Sequence, residues 1–281
     1  MALTWQTSRR TLALGARPLV MGILNVTPDS FSDGGRFLDP ARAIARALAL
    51  EAAGADLIDI GAESTRPGAA PVSAEEEMAR LWPVLDGLRG RLAVPLSIDT
   101  TKAAVAEGAL QRGAEIVNDV SGGRFDAGLW PVVAAQGAGY VLTHSRGTPE
   151  TMRQEAEYAD VVAEVAAALR EGLARAVAAG IAPERIALDP GFGFAKTAAQ
   201  NWALLAGLEA VAAPGQPVLV GLSRKSFLKS IAGEELLQVS TGVAETIAAL
   251  RGAHLWRTHD VAAARAASLA VGQLRRADAN A

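Results

Sequence analysis

Eight short apolar runs in this chain each end on side chains able to bind or neutralise charge. In chain order these ends carry Asn25; Glu63, Ser64, Thr65 and Arg66; Asp99 and Thr100; Asn118 and Asp119; His144; Asp189; Ser223, Arg224, Lys225 and Ser226; and Arg257 with His259. Asp99, Asn118 and Asp189 offer acceptors for N–H donors. Arg257, His259 and Lys225 offer positive charge, which suits an anion. Arg257 and His259 stand two residues apart, so in an extended segment both project to one face and can share that anion. Lys225 lies beside Ser223 and Ser226 at a helix start, where free N–H groups suit a carboxylate or phosphate.

Each group also has a plainer use. Asp99-Thr100-Thr101 fits a helix cap, Asn118-Asp119 a turn, and Arg257 with His259 a surface pairing to Asp260. Asp189, between an apolar run and Pro190-Gly191, fits a turn as well as a ligand site. For every plain use to hold, eight coincidences are needed, so the pooled reading is an anion-binding pocket on one rim. The glycines at 191 and 193 do not make a nucleotide loop, because Ala195 and Lys196 break the dinucleotide pattern and no Walker A motif is present.

The scaffold follows from the spacing of the apolar runs. Candidate strands at 19–25, 56–60, 96–98, 116–118, 139–143, 185–188, 217–221 and 254–257 alternate with alanine-rich segments of helical period, the pattern of a parallel α/β protein. Asp39 before Pro40 marks one helix start, and Ser73 with Glu76 predicts a capping box at another. Gly54, Gly113, Gly137 and Gly180 fall where helices should end. Periodicity alone allows a closed barrel or an open doubly wound sheet. Polar clusters at nearly every strand end favour the barrel, whose rim collects its functional groups. The expectation is a single (β/α)8 barrel domain, class α/β of the TIM type, over residues 1–281, with 1–18 as an N-terminal extension.

Composition sets the outer limits. A length of 281 residues suits one such barrel, and 27 basic against 30 acidic residues argue against nucleic acid or an anionic membrane as partner. No run is long and apolar enough to span a bilayer. There is no cysteine, which excludes disulfides and thiolate chemistry and is compatible with a cytoplasmic location. Thr7-Ser8-Arg9-Arg10-Thr11-Leu12 faintly suggests a twin-arginine signal, but the apolar stretch after it stops at Arg17-Pro18, so an ordered extension is expected.

The stretch from 21 to 35, MGILNVTPDSFSDGG, passes directly from a buried strand into a polar, glycine-rich loop. With DIGAESTRPGA, SIDT, NDVSGG, LDPGFGFAKT, GLSRKSF and RTHDV it resembles, in order and approximate spacing, the dihydropteroate synthases of the pterin-binding enzymes. The resemblance runs from about Leu19 to the final helix. It implies condensation of a dihydropterin diphosphate with para-aminobenzoate, Mg²⁺ as cofactor, and a homodimer. It further implies pterin contacts from Asp99, Asn118, Asp189 and Lys225, and diphosphate contacts from Asn25, Thr65, Arg257 and His259. Asn25 is implied as the magnesium ligand. Phe31, Arg66, Pro67, Lys225 and Ser226 are implied around para-aminobenzoate, with Asp99, Lys225, Arg257 and Asn25 central to catalysis. Residues 27–35, with Asp33, would close over the ligands as a lid, and Arg66 and Asp33 would help to order the closed form. Sulfonamides would then compete with para-aminobenzoate.

Two departures stand out. Thr143 and Ser145 flank His144 where the family usually has methionines, so the pterin face there is expected to be less apolar, and Ala195 stands where glycine is common. Three rivals remain at this point: a methyltetrahydrofolate-binding methyltransferase of the same superfamily, a Schiff-base aldolase using Lys225, and a catalytically silent pterin-binding protein. The SRKS and RTHD segments speak against the first, and a full set of Asn25, Asp99, Lys225 and Arg257 against the last.

Overall fold

The computed structural model describes residues 3–27, 39–66, 68–212 and 215–280. A small antiparallel hairpin, β1 (Thr4–Gln6) and β2 (Thr11–Ala13), precedes the barrel. The barrel strands are β3 (Leu19–Asn25), β4 (Leu57–Gly61), β5 (Leu96–Asp99), β6 (Ile116–Asp119), β7 (Gly139–Thr143), β8 (Ile186–Asp189), β9 (Leu219–Val220) and β10 (Leu255–Thr258). All pair in parallel, in the order β8-β7-β6-β5-β4-β3-β10-β9. A parallel bridge from Leu188 to Val218 and the bond from Leu188 N to Pro217 O, 2.8 Å, join β8 to the β9 side and close the ring. Each expected strand is present, most of them within one residue of its expected bounds; β9 is the exception, with two residues in place of 217–221.

Helices α1 (Pro40–Ala52), α2 (Ala74–Leu88), α3 (Ala103–Gln111), α4 (Leu129–Gln136), α5 (Val161–Ala178), α6 (Ala198–Ala206), α7 (Glu209–Ala212), α8 (Ser226–Ala232), α9 (Leu237–Leu250) and α10 (Val261–Ala279) cover the outside. The caps follow local chemistry. Asp39 accepts from Ala41 N and Arg42 N ahead of Pro40, and Ser73 accepts from Glu76 N at 3.2 Å. The second half of that expected capping box is absent, because the Glu76 carboxylate turns to Arg80 one helical turn on. Gly54, Gly113, Gly137 and Gly180 all have positive φ at helix ends.

The extension is ordered as expected, and it has a defined seat. Trp5, fully buried, packs with Leu14 against Met21, Leu57, Ile116, Val141, Ala187, Leu219 and Leu255, the first inward layer of the strands. Its indole N–H donates to Arg185 O at 2.8 Å. Glu115 accepts from Thr7 Oγ1 at 2.6 Å and pairs with Arg10 at 2.6 Å. The hairpin therefore stoppers the rim where the strands begin, leaving the rim where they end as the only open mouth of the barrel among the described residues.

Candidate active site

Strand pleating decides what enters the mouth. On β4 the row Leu57, Asp59, Gly61 faces one side, with Leu57 in the stopper layer and Asp59 one step above it. A Cβ on Gly61 would come within 3.1 Å of Asp99 Cβ, so the absent side chain makes room for that carboxylate at the tip of β5. Asp99 is bound by Arg257, whose Nη2 donates to Asp99 Oδ2 at 2.6 Å while its Nε donates to Asp59 Oδ2 at 2.6 Å. Asn118 Nδ2 reaches the same Asp59 oxygen at 3.0 Å. The cap reading of Asp99 is thus replaced: the first turn of α3 is instead met by Asp126, which accepts from Ala103 N at 2.7 Å.

Asp189 ends β8 and accepts from Gly191 N at 2.7 Å with one oxygen. That turn requires glycine, since Gly191 has φ +69° and a Cβ there would lie 1.9 Å from His144 O. Lys225, at the start of α8, stands with its ammonium 4.6 Å from the centroid of the Phe194 ring. Lys196 donates at 3.0 Å to each of Gly191 O and Phe194 O, and its Nζ lies 3.0 Å from His144 Nδ1. Two non-glycine residues with positive φ, Ala195 at 49° and Arg224 at 58°, flank these lysines, the kind of strain that functional loops retain.

Burial and the close interleaving of opposite charges set the electrostatics of the mouth. Burial pushes the Asp99 carboxyl up to about 7, against the pull of Arg257 and with further lift from Asp59, Glu77 and Asp119. Asp189 is raised by burial, opposed by Gly191 N–H, Lys225, Arg257 and Lys196. Burial lowers Lys225 to about 8 and Lys196 to about 7. Around His259, burial together with Arg224, Arg257, Arg66 and Lys225 pushes the imidazole down to about 3. His259 Nδ1 lies 3.0 Å from Ser223 Oγ, and its backbone N–H also donates to that hydroxyl. The plainer alternative, a pairing of Arg257 or His259 with Asp260, does not form; Asp260 caps α10 through Ala263 N at 3.0 Å.

Other sequence candidates find their places. Asn25 is half-buried at the tip of β3, in register with Gly61. Thr65 is half-buried and Arg66 exposed in the loop after β4, and Ser226 is exposed as the first residue of α8. Phe31, Asp33 and Pro67 lie outside the described residues, as does most of the expected lid. Asp119 serves the fold: it accepts from Ser121 N at 2.7 Å, Gly123 N at 2.6 Å and Tyr140 OH at 2.7 Å. His144 takes part through Lys196, with burial first and then nearby cations pushing it down to about 2, so its ring is a neutral acceptor.

Sequence reasoning missed Asp59, Lys196 and the triad in which Lys102 binds Glu63 at 2.5 Å and the fully buried Glu77 at 2.7 Å. That triad anchors the loop carrying Thr65 and Arg66, because the other oxygen of Glu63 accepts from Val72 N at 2.8 Å and ties the base of the loop together. A groove of about 360 Å³ runs beside this loop, lined by Thr65, Pro71, Lys102, Val120, Phe125 and Pro149 among others. Among the described residues no group of three His, Cys, Asp or Glu has a metal-binding arrangement.

The chain that builds this mouth has close counterparts among known proteins. The family described as pterin binding enzyme matches residues 21–259. The dihydropteroate synthase of Mycobacterium leprae is 48% identical over 262 residues, covering 90% of this chain and 92% of that one. The Escherichia coli K12 enzyme of the same name is 45% identical, covering 88% of each chain. The dihydropteroate synthase of Xanthomonas albilineans, solved with 4-aminobenzoic acid, superposes with a TM-score of 0.90 at 43% identity, over 98% of this chain and 99% of that one. The Yersinia pestis enzyme, solved as a sulfonamide drug complex, also gives 0.90, at 40% identity over 98% and 100% of the two chains. This chain belongs to the pterin-binding enzymes, among the dihydropteroate synthases.

Proposed function

We infer that this chain condenses 6-hydroxymethyl-7,8-dihydropterin diphosphate with para-aminobenzoate, giving 7,8-dihydropteroate and diphosphate. One observation carries the reading: buried carboxylates at Asp59, Asp99 and Asp189 share a single mouth with the cations that surround His259. That pairing suits a ligand with N–H donors at one end and a polyanion at the other.

The aminopyrimidinone edge of the pterin presents adjacent N–H donors for Asp189 to accept, with Asn118 and Asp99 against the rest of the ring and Lys225 donating to a ring oxygen or nitrogen. Arg257, His259, Thr65 and Asn25 hold the diphosphate. The C–O bond breaks with its electron pair leaving on the diphosphate, and the methylene carbon becomes cationic. Asp99 faces that developing charge, so its carboxylate acts mainly in the transition state. The arylamine nitrogen donates its lone pair to the methylene carbon and afterwards releases a proton to solvent. No base is needed before attack, because the amine is captured by a cation. Ser226, Lys225, Arg66, Phe31 and Pro67 orient para-aminobenzoate.

Magnesium fits the donors present. Asn25 would supply one amide oxygen at a strand tip, and a site otherwise completed by phosphate oxygens and water suits this hard, reluctantly dehydrated ion. When bound it would neutralise charge on the leaving diphosphate. Homodimerisation belongs to the same reading, supported by exposed Ile231, Leu236, Val239, Val243 and Leu250 on and beside α8 and α9. So does a cytoplasmic location, consistent with the absence of cysteine, and no helix among the described residues is long and apolar enough to cross a membrane. Sulfonamides are proposed to compete with para-aminobenzoate here.

The test is direct. Purified protein with Mg²⁺ should release pyrophosphate only when the pterin diphosphate and para-aminobenzoate are both present. No release with both substrates supplied would refute the reading.

A further inference from the structure

Asp59 stands inside β4, fully buried, at a level of the barrel where an aliphatic side chain would pack without cost. Its Oδ2 accepts from Arg257 Nε at 2.6 Å and from Asn118 Nδ2 at 3.0 Å. Its Oδ1 is buried with no hydrogen-bond partner. A carboxylate held in this way costs stability relative to an aliphatic residue, so its retention points to a use for the engaged oxygen other than stability. What that oxygen does is join side chains from two distant strands, β6 and β10, and through the other end of the guanidinium it reaches Asp99 on β5 at 2.6 Å. Arginine's planar fork has only one Nε, so binding that atom fixes the plane in which the remaining N–H donors lie.

We propose that Asp59 is a positioning residue for the reaction, its Oδ2 fixing the guanidinium of Arg257 and the amide of Asn118 relative to each other. The anion-binding and ring-binding halves of the mouth then keep one spacing, as a substrate carrying both features on one carbon requires. The inference rests on the proposed function above. It adds a group that touches no reacting atom, the strand residue that heads the DIGAESTRPGA segment and to which the resemblance gave no role.

Asp59→Asn keeps the shape and removes the charge that holds Nε. Measured per folded molecule, kcat/KM for the pterin diphosphate should fall about 30-fold and affinity for inorganic pyrophosphate about tenfold, the usual scale for losing an orienting partner. KM for para-aminobenzoate should stay within about twofold, because its contacts lie elsewhere. A purely structural Asp59 would lower the melting temperature and leave all three constants unchanged, and that result would overturn the proposal. In an Arg257→Lys background, which has no Nε fork, adding Asp59→Asn should cost little more; full additivity would also overturn it.

Should Asp59→Asn fail to fold, nitrogen-15 NMR of the unaltered protein tests, without substrate, the hydrogen bond on which the proposal depends. The Arg257 Nε–H should exchange slowly with solvent, and exchange as fast as that of the exposed Arg89 would sink the proposal. Wild-type pyrophosphate release separately tests the reaction, so the two failures are distinguishable.

Discussion

At the rim where the strands begin, Glu115 is answered by Thr7 and Arg10, and Trp5 finds Arg185 O, so the charged and polar groups there have partners. At the rim where they end, two carboxylates share one arginine, Asp59 keeps an orphaned oxygen, and two lysines are pushed toward neutrality. Both rims rest on the same strands. The first has been closed by the chain's own N-terminus, and it holds the barrel together. The second leaves its charges only partly answered, which is the condition for a charged ligand to complete them. Stability and chemistry are thus carried at opposite ends of one ring.

If the division holds, damage at one rim should not register at the other. Removing the stopper with Trp5→Ala should cost about 3–5 kcal/mol of unfolding free energy, as large buried aromatics do. Turnover below the melting transition should remain close to wild type. Denaturant unfolding beside steady-state kinetics checks this, and a loss of turnover in the folded variant would join the two rims. Asp99→Asn should do the reverse, lowering kcat by about 10²–10³-fold with little change in melting temperature. Because Asp99 sits near 7 and must be ionised to face a cation, kcat/KM should fall as pH drops below about 7. Asp99→Asn should lack that limb. The alkaline limb should follow Lys225, near 8, since only its protonated form donates.

The smallest expected effect concerns Glu245, a third kind of charge that belongs to neither rim. It is buried on α9 with Oε1 lacking a partner, and burial pushes its carboxyl up to about 8, opposed by Thr258. The folded state holds that proton while the unfolded chain releases it above about 4.5. Wild-type stability should therefore decline as pH rises from there to about 8 and level off beyond. Glu245→Gln should remove this slope, so its advantage grows over the same window to about 1–3 kcal/mol. Melts across that range, compared at equal salt, provide the measurement, and a constant offset between the two proteins would contradict it.

The strands were legible because aliphatic runs flanked by glycine and alanine-rich helices leave few alternatives, and the barrel because polar groups recur at strand ends. Asp99, Asn118, Asp189, Lys225 and Arg257 were found by the same sign, each marking the point where an apolar run stops. Asp59 gives no such sign: one carboxylate inside the run DLIDIG looks like a strand residue facing solvent. Its importance depends on Arg257, 198 residues away, and only closure of the ring creates their contact. Lys196 was set aside because it spoils a nucleotide motif, whereas its actual partners are carbonyls of its own loop and a histidine from the neighbouring strand. The stopper role of the extension was also hidden, since a three-residue strand has no period to detect.

The pairing of β3 with β10 has a consequence for how the chain is made. On a ribosome the strand Leu19–Asn25 emerges long before its partner Leu255–Thr258. At roughly 5–20 residues per second, the interval is on the order of ten to fifty seconds. Throughout it, β3 presents an open edge, and Arg257, the residue that gathers Asp59 and Asp99, has not yet been synthesised. The nascent chain therefore carries Asp59 and Asp99 without the arginine that bridges them, and the two carboxylates repel until that strand arrives to complete both the ring and the bridge.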